Sequence, residues 1–326
     1  MTKHRRTLSL GIVAALTLAA TGAIAQPAAA LEGGTLRLVV PYPAGGTSDR
    51  AARLLGEAIA PKLGVAVIVE NRVGAGGRLA AQQVYKDSSG QNLVLLANPA
   101  TMLVAPLVFK DNGYDPDKDY VALSQVTSYD FGIAVSSAVP VREFGHLRAW
   151  MQANQDKVAA GVPATGSLPH FFALMLGDKM KLTMPVVGYK GSAPLMNDLM
   201  GGHVPIAFDT LDALEPLQKT GKLRILATSG ERRSPTLPDV PTFKEAGMDL
   251  SAAGWNVLYA PAGMPAARQR AIESAVRQAM ADKALQQKFV SADMVPVASS
   301  SAQTVAMLAA YKKQWAPVVM KSGFQP

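Results

Sequence analysis

The sequence predicts an α/β fold built from about two domains. Short apolar runs rich in β-branched residues alternate with amphipathic segments, and this alternation starts again after residue 130. The chain has 326 residues, enough for about two domains of roughly 100–200 residues each. Hydrophobic residues make up 49% and charged residues 17%, a balance that supports a sizeable core and excludes extended disorder. Strands that alternate with helices in this way are typical of parallel sheets covered by helices.

The first 30 residues are expected to direct export rather than to join the fold. Lys3, Arg5 and Arg6 form a basic start, residues 7–31 carry no charge, and the triplets AIA and AAA end at residues 25 and 30. This pattern is typical of a secretory signal peptide, so residues 1–25 are predicted to be cleaved off, with residue 30 as the later alternative. The most apolar part, residues 8–20, is short for a membrane anchor of about 20 residues. The adjacent arginines leave the Sec and twin-arginine routes both open.

Charge and composition exclude several classes of function. Loss of the signal peptide removes three cations and lowers the formal net charge from +8 to +5. The remaining lysines and arginines are scattered and do not alternate with aromatic residues, so no nucleic-acid partner is expected. Cysteine is absent, and His146, His170 and His203 lie far apart without carboxylates at ligand spacing. We therefore expect no disulfide, no metal site and no cofactor.

The first domain is predicted to open with a βαβαβ unit. Residues 36–40 form an apolar strand, and Asp49 is placed to cap a helix whose apolar residues recur at helical spacing between residues 51 and 59. Residues 65–69 form the next strand, a glycine-rich turn at residues 74–77 leads into a second helix, and residues 92–97 form a third strand. This order is the unit of a parallel sheet.

The pattern continues through the second part of the chain. Helices are predicted at residues 167–180, 191–202 and 212–221, and glycines close the latter two as left-handed caps. The final third is predicted to be helical, with Pro265 in the first turn of one helix and a last helix at residues 301–319. Strands are predicted at residues 131–135, 157–161, 184–189, 204–209 and 223–228.

One device recurs at three strand-to-helix turns, at residues 44–48, 165–167 and 191–192. Small residues there leave backbone N–H groups at a helix start, where the helix dipole favours an anion without any formal positive charge. In open α/β sheets such turns lie at the carboxyl ends of strands, where ligands bind. One such turn alone is compatible with ordinary loop chemistry, but three of them favour a carboxylate-binding cleft.

Two other motifs suggest chemistry more weakly. Ser167 and His170 could be a nucleophile and a base, but their spacing at a helix start is that of a cap, and no G-x-S-x-G motif is present. The GAGG sequence at residues 74–77 lacks the full dinucleotide-binding fingerprint. A tight turn that packs against the neighbouring loop is the favoured interpretation.

Several long motifs occur in a specific order. They are VVPYPAGGTSDRAARLL from residue 39, VIVENRVGAGG from 67, YDPDKDYVALSQV from 114, VVGYKGSAPLMNDLMGGHVPIAFD from 186, LPDVPTFKEAGM from 237 and APAGMP from 260. In these motifs, over essentially the whole mature chain, the sequence resembles a substrate-binding protein of the tripartite tricarboxylate transporter family, often called the Bug family.

The resemblance implies a two-lobed α/β fold, the periplasmic-binding-protein fold of type II, with a ligand cleft between the lobes. Lobe 1 would be discontinuous, at residues 31–128 plus 254–326, and lobe 2 would be residues 129–253. Such a receptor is periplasmic and not an enzyme. It binds a small carboxylate (a di- or tricarboxylate, an acidic amino acid or an aromatic acid) and delivers it to a membrane permease. A receptor that signals to a membrane sensor kinase is the alternative, and an exported hydrolase is a second one.

The resemblance also implies which residues contact the ligand, mostly through backbone amides and bridging water. The first lobe would contribute Tyr42, Ala44, Gly45, Gly46, Ser48, Asn98 and Thr101. The second lobe would contribute Thr165, Ser167, His170, Tyr189, Lys190, Gly191 and Asp209. Packing remains the alternative for the histidine, and surface exposure for the lysine. The aspartate would repel an anionic ligand unless it accepts a hydrogen bond, and it could instead cap the helix after it.

The chain departs from the usual family pattern at three places. Residues 105–106 are Ala-Pro instead of Asn-Pro, residues 161–162 are Gly-Val instead of Gly-Ser, and residues 171–172 are a Phe pair instead of small residues. These substitutions are expected to allow an apolar or aromatic acid as the ligand.

Overall fold

The computed structural model describes residue 31 and residues 34–87 and 92–324. The predicted signal peptide lies outside these residues. None of the helices in the described part of the chain has the length and apolarity of a bilayer span.

The described residues form strands and helices in an alternating order. The strands are β1 (Leu36–Val40), β2 (Val67–Asn71), β3 (Leu93–Ala97), β4 (Tyr120–Tyr129), β5 (Phe131–Ser136), β6 (Ala160–Val162), β7 (Val186–Gly188), β8 (Ile206–Thr210), β9 (Leu223–Thr228), β10 (Gly254–Pro261) and β11 (Val295–Pro296). The helices are α1 (Thr47–Leu63), α2 (Arg78–Lys86), α3 (Ala105–Val108), α4 (Pro116–Asp119), α5 (Phe144–Ala153), α6 (Leu168–Met180), α7 (Ser192–Gly201), α8 (Leu211–Lys219), α9 (Ala266–Met280), α10 (Lys283–Val290) and α11 (Ser301–Lys321).

The first sheet has the strand order β11-β4-β10-β3-β1-β2. The predicted βαβαβ unit is confirmed, because β2, β1 and β3 pair in parallel. Strand β10 pairs antiparallel with both β3 and β4, so the sheet is mixed. The prediction that the final third is helical is wrong for β10, whose eight residues are all buried. A strand buried on both faces lacks the alternation that reveals strands in a sequence.

The second sheet has the order β7-β6-β8-β5-β9, with β7, β6 and β8 parallel and β5 antiparallel to its neighbours β8 and β9. The predicted strands are present, with shifted ends. The strand expected at 65–69 lies at 67–71, and the one expected at 157–161 lies at 160–162. The chain changes sheet at Asp130 and returns at Gly254. Each sheet with its covering helices is termed a lobe below.

The returning strand packs closely on the leaving one. Gly254 is the register partner of Tyr129, and a Cβ at Gly254 would lie 2.2 Å from the Tyr129 ring. Any larger residue at position 254 would displace this ring, so the crossing of the two strands depends on a glycine.

The Phe pair of the sequence departures lies in the core of the second lobe. Phe171 and Phe172 are both fully buried, and the Phe172 ring meets Phe131 edge-on at 4.8 Å. The other departures, Ala105 and Val162, are buried as well. Burying each large side chain contributes about 1.5–3 kcal/mol to stability. These departures therefore serve packing and give no support for an aromatic ligand.

The last helix contacts both lobes. At its start, the Ser301 hydroxyl donates to the Ala122 carbonyl of β4 at 2.7 Å. Farther along, Trp315 and Val319 are 1% exposed and join the core of the second lobe. The Phe324 ring then packs against His170 at 5.3 Å. Helix α11 thus spans the junction of the two lobes.

Candidate functional site

The loop between β1 and α1 (residues 41–46, the first loop) is held open by its backbone. Gly45 has φ +85, and a Cβ there would meet nothing within 4 Å. The glycine is therefore required by conformation and not by lack of space. Residues 43–46 are exposed.

The Asp49 side chain fixes the conformation of the first loop through hydrogen bonds. Its buried carboxylate accepts hydrogen bonds from the Gly45 N–H at 2.9 Å, from Asn71 Nδ2 at 2.9 Å and from the Arg53 guanidinium. Asn71 also donates to the Tyr42 carbonyl at 3.0 Å. Burial opposes ionisation, but these hydrogen bonds outweigh it and lower the pKa of Asp49. The prediction that Asp49 caps the helix is wrong, since α1 begins at Thr47 and Asp49 lies within its first turn.

These hydrogen bonds determine which backbone N–H groups in and after the first loop remain available as donors. The Gly45 N–H is already used by Asp49. The N–H groups of Thr47 and Ser48, in the first turn of α1, have no hydrogen-bond acceptor within the described residues. The Ser48 hydroxyl donates to Asn256 Oδ1 at 2.6 Å and is buried. The first turn of α1 therefore offers backbone donors, supported by the helix dipole.

A polar cluster lies beside the first loop. The Tyr42 hydroxyl donates to Asn98 Oδ1 at 2.5 Å and lies 2.6 Å from Thr101 Oγ1. Burial raises the pKa of Tyr42 well above its ordinary value, so the phenol stays neutral. A Cβ at Gly77 would lie 2.3 Å from Thr101 Oγ1. This contact confirms that the GAGG sequence is a tight turn packed on its neighbour.

The loop before α6 (residues 163–167, the second loop) is a capped helix start. Ser167 Oγ accepts from the His170 N–H at 3.4 Å, and His170 Nδ1 accepts from the Gly166 N–H at 3.0 Å. The His170 ring is buried, and burial lowers its pKa. A neutral imidazole that accepts at Nδ1 carries its proton on Nε2. His170 is thus a packed, loop-fixing residue, and it is not placed as a base for Ser167.

The loop before α7 (residues 189–191, the third loop) packs against the second loop. A Cβ at Gly188 would lie 1.9 Å from Thr165 Oγ1, and the Gly191 N–H donates to the Pro163 carbonyl at 2.8 Å. The Tyr189 hydroxyl donates to Asp198 Oδ2 at 2.8 Å, and burial followed by this carboxylate raises the pKa of Tyr189 to about 12. Lys190 is exposed.

Asp209 is the penultimate residue of β8, at the same edge of the second sheet. It is 1% exposed, and its Oδ1 accepts from the Thr210 N–H at 2.8 Å. Its Oδ2 is buried without a hydrogen-bond partner in the described part of the chain, and the Ser192 side chain nearby favours the ionised form. Burial raises the pKa of Asp209 to about 7. The capping alternative is wrong, because Thr210 occupies the cap position of α8.

The three loops share one design. Each follows a strand of a parallel set, and each has a glycine of positive φ just before a helix, namely Gly45, Gly166 and Gly191. In each loop the N–H of this glycine already donates a hydrogen bond to an acceptor within the same lobe. The N–H groups left without an acceptor among the described residues include those of Thr47 and Ser48 at α1, Leu168 at α6, and Ser192 and Ala193 at α7.

The first turn of α1, directly after the first loop, meets α8 of the second lobe. Thr47 Oγ1 donates to both carboxylate oxygens of Asp212 at 3.1 Å, and Arg50 forms an ion pair with the same group. Asp212, Asn71 and Asn256 were missed in the sequence, whereas Asp49 was noticed there and given the role of a helix cap. The contacts of these residues are not visible in the sequence, except for the ion pair of Asp49 with Arg53, which the i, i+4 spacing indicates. Among the described residues no group of three or more His, Asp or Glu side chains could hold a metal.

Two lobes with a helix-start loop at each sheet edge define the class of the chain as a two-lobed periplasmic binding protein. The periplasmic binding protein BugD has a similar structure, with a TM-score of 0.79 and 28% identity over 89% of this chain and 98% of BugD. An R. palustris protein solved with adipate gives a TM-score of 0.84 and 28% identity over 90% of this chain and 99% of that one.

Sequence comparison then assigns the family. The tripartite tricarboxylate transporter family receptor (TctC) profile matches residues 51–324. A UPF0065 protein of Cupriavidus necator is 33% identical over 326 residues, 98% of each chain. The chain belongs to this receptor family. It is a solute receptor and not an enzyme, in agreement with the capping geometry of Ser167 and His170.

Proposed function

We propose that the protein is a periplasmic receptor that binds a small carboxylate between its lobes and delivers it to the permease of a tripartite tricarboxylate transporter. The observation that carries this proposal is the set of three loops that end in helix starts with N–H groups open within the described chain, at least two each at α1 and α7 and one at α6. Donors of this kind, with the helix dipole behind them, hold anions without a formal positive charge. The relative solved with adipate supports a carboxylate ligand.

The ligand contacts follow from this arrangement. The N–H groups of Thr47 and Ser48 hold one carboxylate, and Tyr42 with Asn98 and Thr101 forms the adjacent wall. The second and third loops hold the other end of the ligand from Thr165 to His170 and from Tyr189 to Gly191. Asp209 lies under this second subsite. When protonated it can donate a hydrogen bond to a ligand oxygen, and when ionised it repels a carboxylate.

Binding closes the lobes, which is a common response of such receptors to their ligands. The limits of lobe 1 (residues 31–128 plus 254–326) and lobe 2 (residues 129–253) are supported by the sheet changes at Asp130 and Gly254. The signal-like N-terminus supports export, and the receptor family supports a permease partner. The matched proteins described above give no support to the sensor-kinase alternative.

A thermal-shift screen of carboxylic acids tests this function. A ligand that binds only the native state at 100 times its Kd stabilises it by about 2.7 kcal/mol. Adipate is the first compound, followed by shorter dicarboxylates, tricarboxylates, acidic amino acids and aromatic acids. We expect a clear rise in Tm for at least one class. A flat response to every class would contradict the carboxylate assignment.

A further inference from the structure

A second set of polar contacts joins the lobes away from the three loops. Helix α8 of the second lobe carries Glu215, and the segment after β9 carries Thr236. Asp293 belongs to the first lobe, between α10 and β11, and accepts from Thr236 Oγ1 at 2.9 Å. The Asp293 carboxyl group also interacts with the carboxyl group of Glu215. Two acidic groups from different lobes therefore lie close enough to influence each other.

The pair of carboxyl groups lacks a hydrogen-bond donor of its own when both are ionised. Glu215 is 3% exposed, and its Oε1 forms an ion pair with Lys219 at 2.5 Å. Its Oε2 is buried and has no donor among the residues that the structure describes. Two ionised carboxylates in contact repel, and a buried acceptor without a donor is unfavourable. A proton on Asp293 supplies the missing donor and removes the repulsion.

We propose that Asp293 and Glu215 form a proton-dependent latch that sets how firmly the two lobes close. With the proton present, the Asp293 O–H donates to Glu215 and joins α8 to the turn after α10. Without it, the carboxylates push these elements apart. Both are positioning residues that act on lobe closure without touching the ligand, so the latch builds on the proposed receptor function.

The surroundings place the proton on Asp293. Burial, and then the hydrogen bond with Glu215, raise the pKa of Asp293 to about 6. Burial opposes the charge on Glu215 too, but the ion pair with Lys219 and the nearby Asp293 and Thr236 side chains outweigh it and lower the pKa of Glu215. Glu215 is therefore the acceptor of the pair.

Three further charged groups face the pair. On α8, the Asp212 carboxylate adds to the rise in the pKa of Asp293, and the Lys219 ammonium favours the charge on Glu215. From α1, Arg50 neutralises Asp212 through their ion pair. The pKa of Asp293 lies in the range between pH 5 and pH 7.5.

The sign of the pH effect follows from the two states. In the described arrangement, where the lobes meet at this pair, the pKa of Asp293 is about 6, and exposure on separation of the lobes returns it toward an ordinary value of about 3.9. The closed form thus binds the proton more tightly. The ratio of closed to open protein rises as the pH falls through about 6, roughly ten-fold between pH 7.5 and pH 5.

Single-molecule energy transfer on the unliganded protein tests the latch. The chain has no cysteine, so Lys62→Cys in the first lobe and Gln152→Cys in the second take the two dyes without further change. Asp293→Asn keeps the shape and the donor but cannot ionise, and Glu215→Gln removes the charged acceptor. Asp156→Asn, at an exposed position, is the matched control. Circular dichroism and thermal unfolding verify that each variant folds.

We expect the closed fraction of the wild type and of the Asp156→Asn control to rise as the pH is lowered, and the Asp293→Asn and Glu215→Gln proteins to lose this dependence. An unchanged closed fraction in the wild type, or the same pH profile in Asp293→Asn, would overturn the latch. Because no ligand is used, failure of the carboxylate assignment leaves this outcome unaffected. If Asp293→Asn does not fold, the Glu215→Gln profile decides.

Discussion

At the scale of single residues, Gly45 separates the effect of backbone conformation from that of packing. Its φ of +85 is costly for any L-residue, whereas the space for a side chain is open. The backbone at this position fixes how the first turn of α1 is presented, and the ligand contacts proposed above depend on that presentation.

We predict that Gly45→Val weakens binding of the carboxylate found in the screen by about ten-fold, since a strain of roughly 1–2 kcal/mol is relieved by moving the loop. Calorimetry measures this change. Gly247→Val is the matched control, because Gly247 has φ +82 and equally open surroundings. That control should lose similar stability and keep its affinity. Unchanged affinity in Gly45→Val would contradict the loop assignment.

Asp209 gives the site a pH dependence of its own. Because burial raises its pKa to about 7, and because a bound carboxylate favours the protonated form, affinity should fall as the pH rises from 6 to 8. We expect several-fold weaker binding at pH 8, measured as Kd by calorimetry. In Asp209→Asn this slope should disappear. A slope that survives in the variant would place the titrating group elsewhere.

Single residues also mark the limit of prediction from the sequence. The loop at residues 44–48 is predictable because glycines and a helix start are local signals. Asp212 is not, because its contact with Thr47 spans 165 positions and depends on how the lobes meet. Asp49 lies between these cases. Its i, i+4 spacing to Arg53 is visible, but its bond to the loop amide is not.

At the scale of elements, helix α11 connects the lobes through its side chains. Its first turn is fixed to the first lobe by Ser301, and its last turns bury Trp315 and Val319 in the second. The helix was predictable from its periodicity, but its end at Lys321 and its double contact were not. Strand β10 shows the same limit, since its burial on both faces comes from partners far away in the sequence.

We predict that Trp315→Ala lowers the free energy of unfolding by about 3–5 kcal/mol, because the indole is 1% exposed and leaves a cavity. Urea denaturation at pH 7 measures the loss. Val305→Ala on the same helix is the control, since Val305 is 54% exposed and should cost less than about 0.5 kcal/mol. Equal effects of the two substitutions would contradict the position of α11.

At the scale of the whole molecule, the lobes are joined by strands, by α11 and by polar contacts on α8. The contact of Asp212 with Arg50 and Thr47 joins the first turn of α1 to the second lobe. The two-lobed architecture was predictable from the resemblance to a known family. The polar contacts across the lobes were not, because they join residues that are far apart in the sequence and that no local pattern distinguishes.

Removal of the Asp212 contact should favour the open form. We predict that Asp212→Ala weakens ligand binding by about three- to ten-fold, the range for a partly exposed ion pair with added hydrogen bonds. The free energy of unfolding should change little. Calorimetry and denaturation measure the two quantities, with Asp117→Ala as the control because Asp117 pairs with Lys312 at an exposed position. A large loss of stability with unchanged affinity would contradict a role in closure.

Helix α11 finally constrains the path of opening. Pulling the buried Trp315 and Val319 out of the second lobe would cost about 1.5–3 kcal/mol for each side chain. A motion that leaves them in place avoids this cost. The rotation axis should therefore run close to the C-terminal half of α11 and to the strand crossing at Tyr129 and Gly254. The C-terminal half of α11 then acts as the hinge of the two lobes, and the widest gap between the lobes forms on the side remote from this helix.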